Sequence, residues 1–222
     1  MKGGFPVSRF HDELESLHQE LLKMSALVEE AIFLSVKSLV ERDVALAEKV
    51  LAQDDLLDEM ELNIEGKCLQ LMALQQPVAK DLRRLGTMLK IVTDLERMAD
   101  HAVDIAKATI KLQNEPYPKP LIDIPKLAGI VQEMVHASIE AYIRQDAELA
   151  YQTAKKDDEV DALFKKIFND LVDIMTQDRS KTAAGTQLLM VAQFLERIGD
   201  HATNLNEWVI YMVTGKIPEL NK

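Results

Sequence analysis

Leu95-Glu96-Arg97-Met98-Ala99-Asp100-His101-Ala102 recurs as Leu195-Glu196-Arg197-Ile198-Gly199-Asp200-His201-Ala202, and this repeat decides the fold. Each copy sets Glu and Asp four residues apart, the spacing that puts both side chains on one face of a helix with Cβ atoms about 5–6 Å apart. Like charges at that spacing repel by a few tenths of a kcal/mol on an exposed helix. Here the pair occurs twice, with Arg and His in the same places, on a largely apolar background. Such carboxylates require something that neutralises them.

Outward from the motif the helical period continues. Leu82, Leu85, Leu89, Val92, Ala99, Val103 and Ile110 form one stripe, predicting a helix with Pro77 in its first turn. Earlier in the chain, Leu14, Leu17, Leu21, Met24, Val28, Ala31 and Ser35 step by threes and fours through a first amphipathic helix from Phe10 to Val40. Val50, Leu57, Ile64, Cys68 and Leu71 mark a second, from an N-cap at Asp43 to about Gln75. No stretch alternates with the period of two expected of a strand. The segment Gln113–Pro125 carries four prolines, which suit an extended connection rather than a helix interior. Three more helices follow, from about Pro125 to Ile143, Asp146 to Met175 and Ser180 to Val213, with Gly215 as a stop signal.

The second half repeats the first. One constant offset pairs Glu30 with Glu133, Ser35 with Ser138, Asp43 with Asp146, Asp54-Asp55 with Asp157-Asp158 and Asp58 with Asp161; a slightly shorter one pairs the two motifs. The expected fold is all-α, six long helices forming two tandem repeated three-helix bundles. Residues 1–113 make the first, 114–125 a Pro-rich linker and 126–222 the second.

Composition narrows the function. The 222 residues carry 26 Lys and Arg against 37 Asp and Glu, a net charge of −11, which argues against nucleic acid and against bare phosphate as direct ligands. No apolar run in residues 1–10 resembles a signal-peptide core, and no uncharged span approaches transmembrane length, so a cytoplasmic protein without membrane insertion is expected. Cys68 is the sole cysteine, which rules out an intrachain disulfide and reads as a small buried residue.

Asp54 and Glu61 fall on the apolar stripe of the second helix, as Glu96 and Asp100 do on the third. Asp157 repeats Asp54, whereas Phe164 replaces Glu61. If the second and third helices pack antiparallel, Asp54 and Asp58 face Glu96 and Asp100, and Asp157 and Asp161 face Glu196 and Asp200. Four carboxylates around one point suit a hard cation such as Mg²⁺, Mn²⁺ or iron. Arg97 and Arg197 project roughly 100° away from the preceding Glu on a helical wheel and are not expected to bridge both carboxylates of their own helix. His101 and His201 are placed to flank the site. A rival constellation, Glu15-x-x-His18 and Glu133-x-x-His136, matches the spacing of ferritin-like carboxylate-bridged metal enzymes. The repeat, however, aligns His136 with Phe33, so the two motifs are not equivalent positions. No phosphate loop, nucleophile elbow or Cys-His pairing points to catalysis.

The duplicated Leu-Glu-Arg-(Met/Ile)-(Ala/Gly)-Asp-His-Ala, with Gln76-Pro77-Val78-Ala79-Lys80-Asp81-Leu82-Arg83 upstream of the first copy, resembles the PhoU family of phosphate-transport accessory proteins. The likeness spans about Phe10 to Met212. It implies two three-helix bundles and metal ions (iron, manganese, magnesium or zinc) at the family's Glu/Asp-x-x-x-Asp motif, here Glu96 with Asp100 and Glu196 with Asp200. It also implies a non-enzymatic, homodimeric regulator of phosphate uptake and phosphate-starvation signalling. Such a regulator would be an adaptor between a phosphate ABC transporter, through its ATPase subunit, and a membrane sensor histidine kinase. Asp104 against Asn204 and Asp94 against Phe194 break the symmetry between the copies.

Overall fold

Apolar residues spaced by threes and fours leave the chain one way to bury them, and helices account for almost the whole of the computed structural model, which describes residues 7–220. The leader-like run sought in residues 1–10 therefore lies mostly outside the described residues. The order is α1 (Val7–Glu41), α2 (Val44–Leu51), α3 (Asp54–Gln75), α4 (Ala79–Leu112), α5 (Asp123–Arg144), α6 (Ala147–Ala154), α7 (Asp157–Gln177) and α8 (Thr182–Thr214). A 3₁₀ turn, Arg179–Lys181, precedes α8.

The all-α class and the duplicated three-helix plan hold, with one difference: each expected middle helix is broken in two. The break falls at equivalent places, after Leu51 and after Ala154. There Gln53 N donates to Val50 O at 3.1 Å and Lys156 N to Thr153 O at 3.0 Å, bonds that tighten the turn to a 3₁₀ pitch. The next residues, Asp54-Asp55 and Asp157-Asp158-Glu159, then open a fresh first turn, where acidic side chains face the positive end of the helix dipole. Sequence periodicity does not see this break, because the apolar phase carries across it. Pro77 also stands just ahead of α4 rather than within it. Gln76 caps α3 in the left-handed region, and Val78, extended, is the N-cap of α4.

Asp43 caps α2 by accepting from Ala45 N and Leu46 N, and Asp146 caps α6 by accepting from Glu148 N and Leu149 N. Replacing either with Ala is expected to lower stability by about 1 kcal/mol, read as an earlier urea midpoint with unchanged slope. Gly215 ends α8 at φ 76°, as its position implies.

Helices α4 and α8 run antiparallel through the middle of the molecule, Asp94 opposite His201 and Lys90 opposite Trp208. Helix α1 packs on α4 and α5 on α8, while α2–α3 and α6–α7 cover the two sides. Leu21, Met24, Leu85, Ile91 and Leu95 join Leu127, Val131, Leu188 and Leu195 in one continuous buried cluster. Cys68 is buried, and burial pushes its thiol up to about 12. Met88, Met98 and Met134 fill the core, whereas Met190 is exposed.

The Pro-rich connection is tied down at both ends. Tyr117 Oη donates to Leu39 O at 2.6 Å, and the Arg42 guanidinium covers its ring at 3.8 Å. Two residues on, Lys119 Nζ lies 2.7 Å from Asp170 Oδ2 and 3.3 Å from Asp123 Oδ2, and Lys166 pairs with the same two carboxylates. The connector thus holds α1 on one side and α7 on the other.

Candidate functional site

Helices α3 and α4 are antiparallel, with Thr93 Oγ1 donating to Glu65 Oε1 at 3.4 Å near one end and Asp54 under the charge of Asp100 near the other. This brings Asp54, Asp58, Glu61 and Glu65 from α3 against Glu96 and Asp100 from α4. Burial, then Asp100, push Glu96 up to about 7; Arg97 opposes the shift, and Glu61 and Asp58 add to it. Burial, then Asp58 and Asp100, raise Asp54, and burial with Glu65 raises Glu61.

Arg97 corrects the sequence reading. Its Nε lies 3.3 Å from Glu96 Oε2 and its Nη1 3.0 Å from Asp100 Oδ2, so it contacts both carboxylates of its own helix. The long stem lets the guanidinium reach back to the adjacent Glu and forward to Asp100 three residues on. It remains exposed, which screens the pairing. The approach to Glu96 is also off the N–H direction, so Glu96 Oε2 is buried without a hydrogen bond. One flexible arginine does not neutralise this face.

In the second copy an open groove of about 590 Å³ is lined by Asp157 and Asp161 from α7 and by Gln193, Glu196, Arg197, Asp200, His201 and Asn204 from α8. Burial, then Asp200, Asp161 and Glu196, push Asp157 up to about 6. A first-turn carboxylate gains about 0.3–1 kcal/mol from the helix dipole, and burial with four neighbouring negative charges, Asp158 among them, outweighs that. Asp200 and Glu196 are raised as well, mainly by burial. Gln193 Nε2 donates to Glu196 Oε2 at 2.8 Å. Gly199 lets α7 come close here: a Cβ would sit 3.3 Å from both Asp157 Oδ1 and Val160 Cγ1, where the first copy carries Ala99.

The histidines do not serve their own acidic faces alone; they join the two copies. His201 Nδ1 lies 2.9 Å from Asp94 Oδ1 across the α4–α8 crossing, and Asn204 Nδ2 approaches the same oxygen at 3.5 Å. At the mirrored position His101 stacks on Phe194 with centroids 5.6 Å apart, and the two imidazoles stand 5.8 Å apart between these contacts. Burial and the nearby His201 lower the pKa of His101.

The rival constellation does not assemble. His18 Nδ1 lies 3.2 Å from Tyr142 Oη, whereas His136 Nδ1 lies 3.0 Å from Glu29 Oε2 and Glu133 pairs with Lys156. Their contact points on α1, His18 and Glu29, are about 16 Å apart at 1.5 Å rise per residue, too far to share a bridged metal pair.

The carboxylates of each acidic face offer oxygen donors; Asp54, Glu61 and Glu96 in the first copy and Asp157, Glu196 and Asp200 in the second are pushed toward protonation, and the first has a buried oxygen without a donor. Among the described residues, no three His, Cys, Asp or Glu side chains converge closely enough to clasp an ion as they stand. The donor chemistry fits a hard cation, which would relieve the repulsion. Glu65, Thr93 and Gln193 belong to these faces although no motif marks them; their spacing of three or four from Glu61, Glu96 and Glu196 respectively, on the same helix, is the signal that would have found them.

The PhoU domain family model matches residues 21–109 and again 124–209. A phosphate-specific transport system accessory protein PhoU homolog of Clostridium acetobutylicum is 45% identical over 213 residues, covering 96% of this chain and 97% of that protein. The homolog of Pseudomonas aeruginosa is 37% identical over 208 residues, covering 93% and 86%. The crystal structure of PhoU from Pseudomonas aeruginosa superposes with a TM-score of 0.91, covering 93% of this chain and all of that one, at 37% identity. The phosphate transport system regulatory protein PhoU from Streptococcus pneumoniae gives 0.88 at 27% identity, covering 95% and 99%.

Proposed function

The chain belongs to the PhoU domain family, and on that premise we propose that it is a cytoplasmic, non-catalytic, metal-binding regulator of phosphate uptake and phosphate-starvation signalling. It works as a homodimeric adaptor between a phosphate ABC transporter, through its ATPase subunit, and a membrane sensor histidine kinase. Relatives named as accessory proteins of phosphate-specific transport systems over nearly the full chain support the phosphate role. No described helix is long and apolar enough to cross a membrane, so contact with a membrane complex falls to its surface.

The observation that carries the metal reading is the duplicated face of clustered, mostly half-buried carboxylates, with Glu96 buried, that nearby cations compensate only in part. Glu96 and Asp100 with Asp54 and Asp58 would hold cations in the first copy, and Glu196 and Asp200 with Asp157 and Asp161 in the second. The all-oxygen set favours magnesium, manganese or iron over zinc. A bound cation supplies positive charge between α3 and α4, or α7 and α8, and so fixes each pair. The chain's own residues orient the donors and, through His201–Asp94, couple the two faces.

Elemental analysis of protein purified without chelator tests this directly. The wild type is expected to retain divalent metal, and the variant with Glu96→Gln, Asp100→Asn, Glu196→Gln and Asp200→Asn to lose at least nine-tenths of it. Equal metal content in the two would remove the metal from the reading. The adaptor role predicts co-purification with the transporter and the kinase, and loss of phosphatase repression in a deletion strain. Neither occurring would overturn it.

A further inference from the structure

Helix α3 carries an apolar stripe on its outer surface that the fold does not use. Leu62 is 68% exposed and Leu69 57%, and with Gly66 and Ala73 they follow the helical period along one line. The internal repeat supplies the comparison: the equivalent line on α7 is Lys165, Asn169, Val172 and Thr176, while the inward residues Leu57, Ile64 and Cys68 keep apolar counterparts in Val160, Ile167 and Leu171. The same helix in the same scaffold thus folds with a mostly polar outer line.

Gly66 adds a second observation. Glycine is unfavourable inside a helix relative to alanine, yet a Cβ at Gly66 would meet nothing within 4 Å. No contact among the described residues requires the absence of a side chain there. A bare backbone between two exposed leucines is what a second helix needs for close approach. The stripe is flanked by Asp55, Asp58, Glu59 and Glu65, and Lys67, the only basic residue of α3, is turned away to Glu20 at 2.6 Å. At its end Leu69 borders a groove of about 600 Å³ floored by Leu89 and Trp208.

We infer that the Leu62–Gly66–Leu69 face of α3 docks an amphipathic helix of a partner protein, its apolar edge seated on the leucines and its flanking Lys or Arg residues paired with the acidic rims. Leucine and glycine provide the close apolar contact, and the carboxylates select the sign of the partner. This rests on the adaptor reading only for the source of that helix.

The test titrates the full chain, labelled with ¹⁵N, with a synthetic 18-residue helical peptide carrying Leu on one face and Lys on the other. Amide shifts are expected along α3 and around Trp208. Gly66→Gln is expected to raise the melting temperature, because it replaces a helix-interior glycine in open space, and yet to weaken peptide binding at least tenfold. Leu62→Ser/Leu69→Ser should weaken it as much, and raising the salt from 50 to 300 mM should weaken binding to the wild type. Unchanged affinity in Gly66→Gln, or shifts centred on the α7–α8 groove, overturns the inference. Concentration-dependent self-association that Gly66→Gln abolishes would also overturn it, assigning the face to a second copy of this chain. Failure of the transporter to bind would count against the adaptor reading alone, because the peptide judges this face without the transporter.

Discussion

Glu96→Gln is expected to stabilise the cation-free protein by on the order of 3 kcal/mol at pH 8 and to change it little at pH 4. The Glu96 carboxyl is held at about 7 in the folded chain against an ordinary 4.5. Between those values the folded protein keeps a proton that the unfolded chain has released, so stability falls as pH rises through that window and levels off above it. Glutamine has no proton to lose and removes this slope. Asp157→Asn should behave alike with the window moved down, since Asp157 titrates at about 6 against 3.8. Urea unfolding with excess chelator, at intervals from pH 4 to 8, measures both. A wild-type-minus-variant difference that stays flat with pH would show that these carboxylates are not stressed in the folded state. With divalent cation present the order is expected to invert, because the wild type then gains the binding energy that the variant forgoes.

Leu195→Ala is expected to lower stability by about 3 kcal/mol, within the 2–5 kcal/mol of leucine truncations that leave a cavity. Leu95→Ala should match it. Both side chains are fully buried, in the cluster that runs through the two halves. Because the buried residues of both copies are continuous, either truncation should shift one cooperative transition rather than unfold one half first. Coincident urea curves from Trp208 fluorescence, which reports the α8 side, and from helical circular dichroism would bear this out. Two separated transitions in either variant would mean that the halves fold independently in spite of the shared core.

The fold was legible in the apolar spacing and in the repeat, because long helices that bury one stripe advertise it at every third and fourth residue. The N-cap role of Asp43 followed from its place before an apolar run, and Gly215 from its place after one. The breaks after Leu51 and Ala154 were not legible, since a two-residue tightening leaves the apolar phase almost unchanged. At the site, the facing of Asp54 with Asp100 was reachable from helix phase and antiparallel packing. The double contact of Arg97 was not, because a wheel gives the direction of Cβ and says little about the end of a long flexible side chain. The contact of His201 with Asp94 also lay beyond reach: it joins residues of the two copies, and no period within one copy encodes it. That Asp94 and Phe194 differ was visible, but not that each lies against the other copy's histidine.

That last arrangement bears on how the two halves can change over time. In a symmetric pair of separate identical subunits, any substitution at the residue opposite the histidine appears at both contacts at once. On one continuous polypeptide, the two contacts are encoded separately. One can keep an acid against His201 while the other becomes an aromatic against His101. Fusion thereby allows the two duplicated motifs to retain the same letters while their surroundings diverge, a division that mutation could adjust one half at a time.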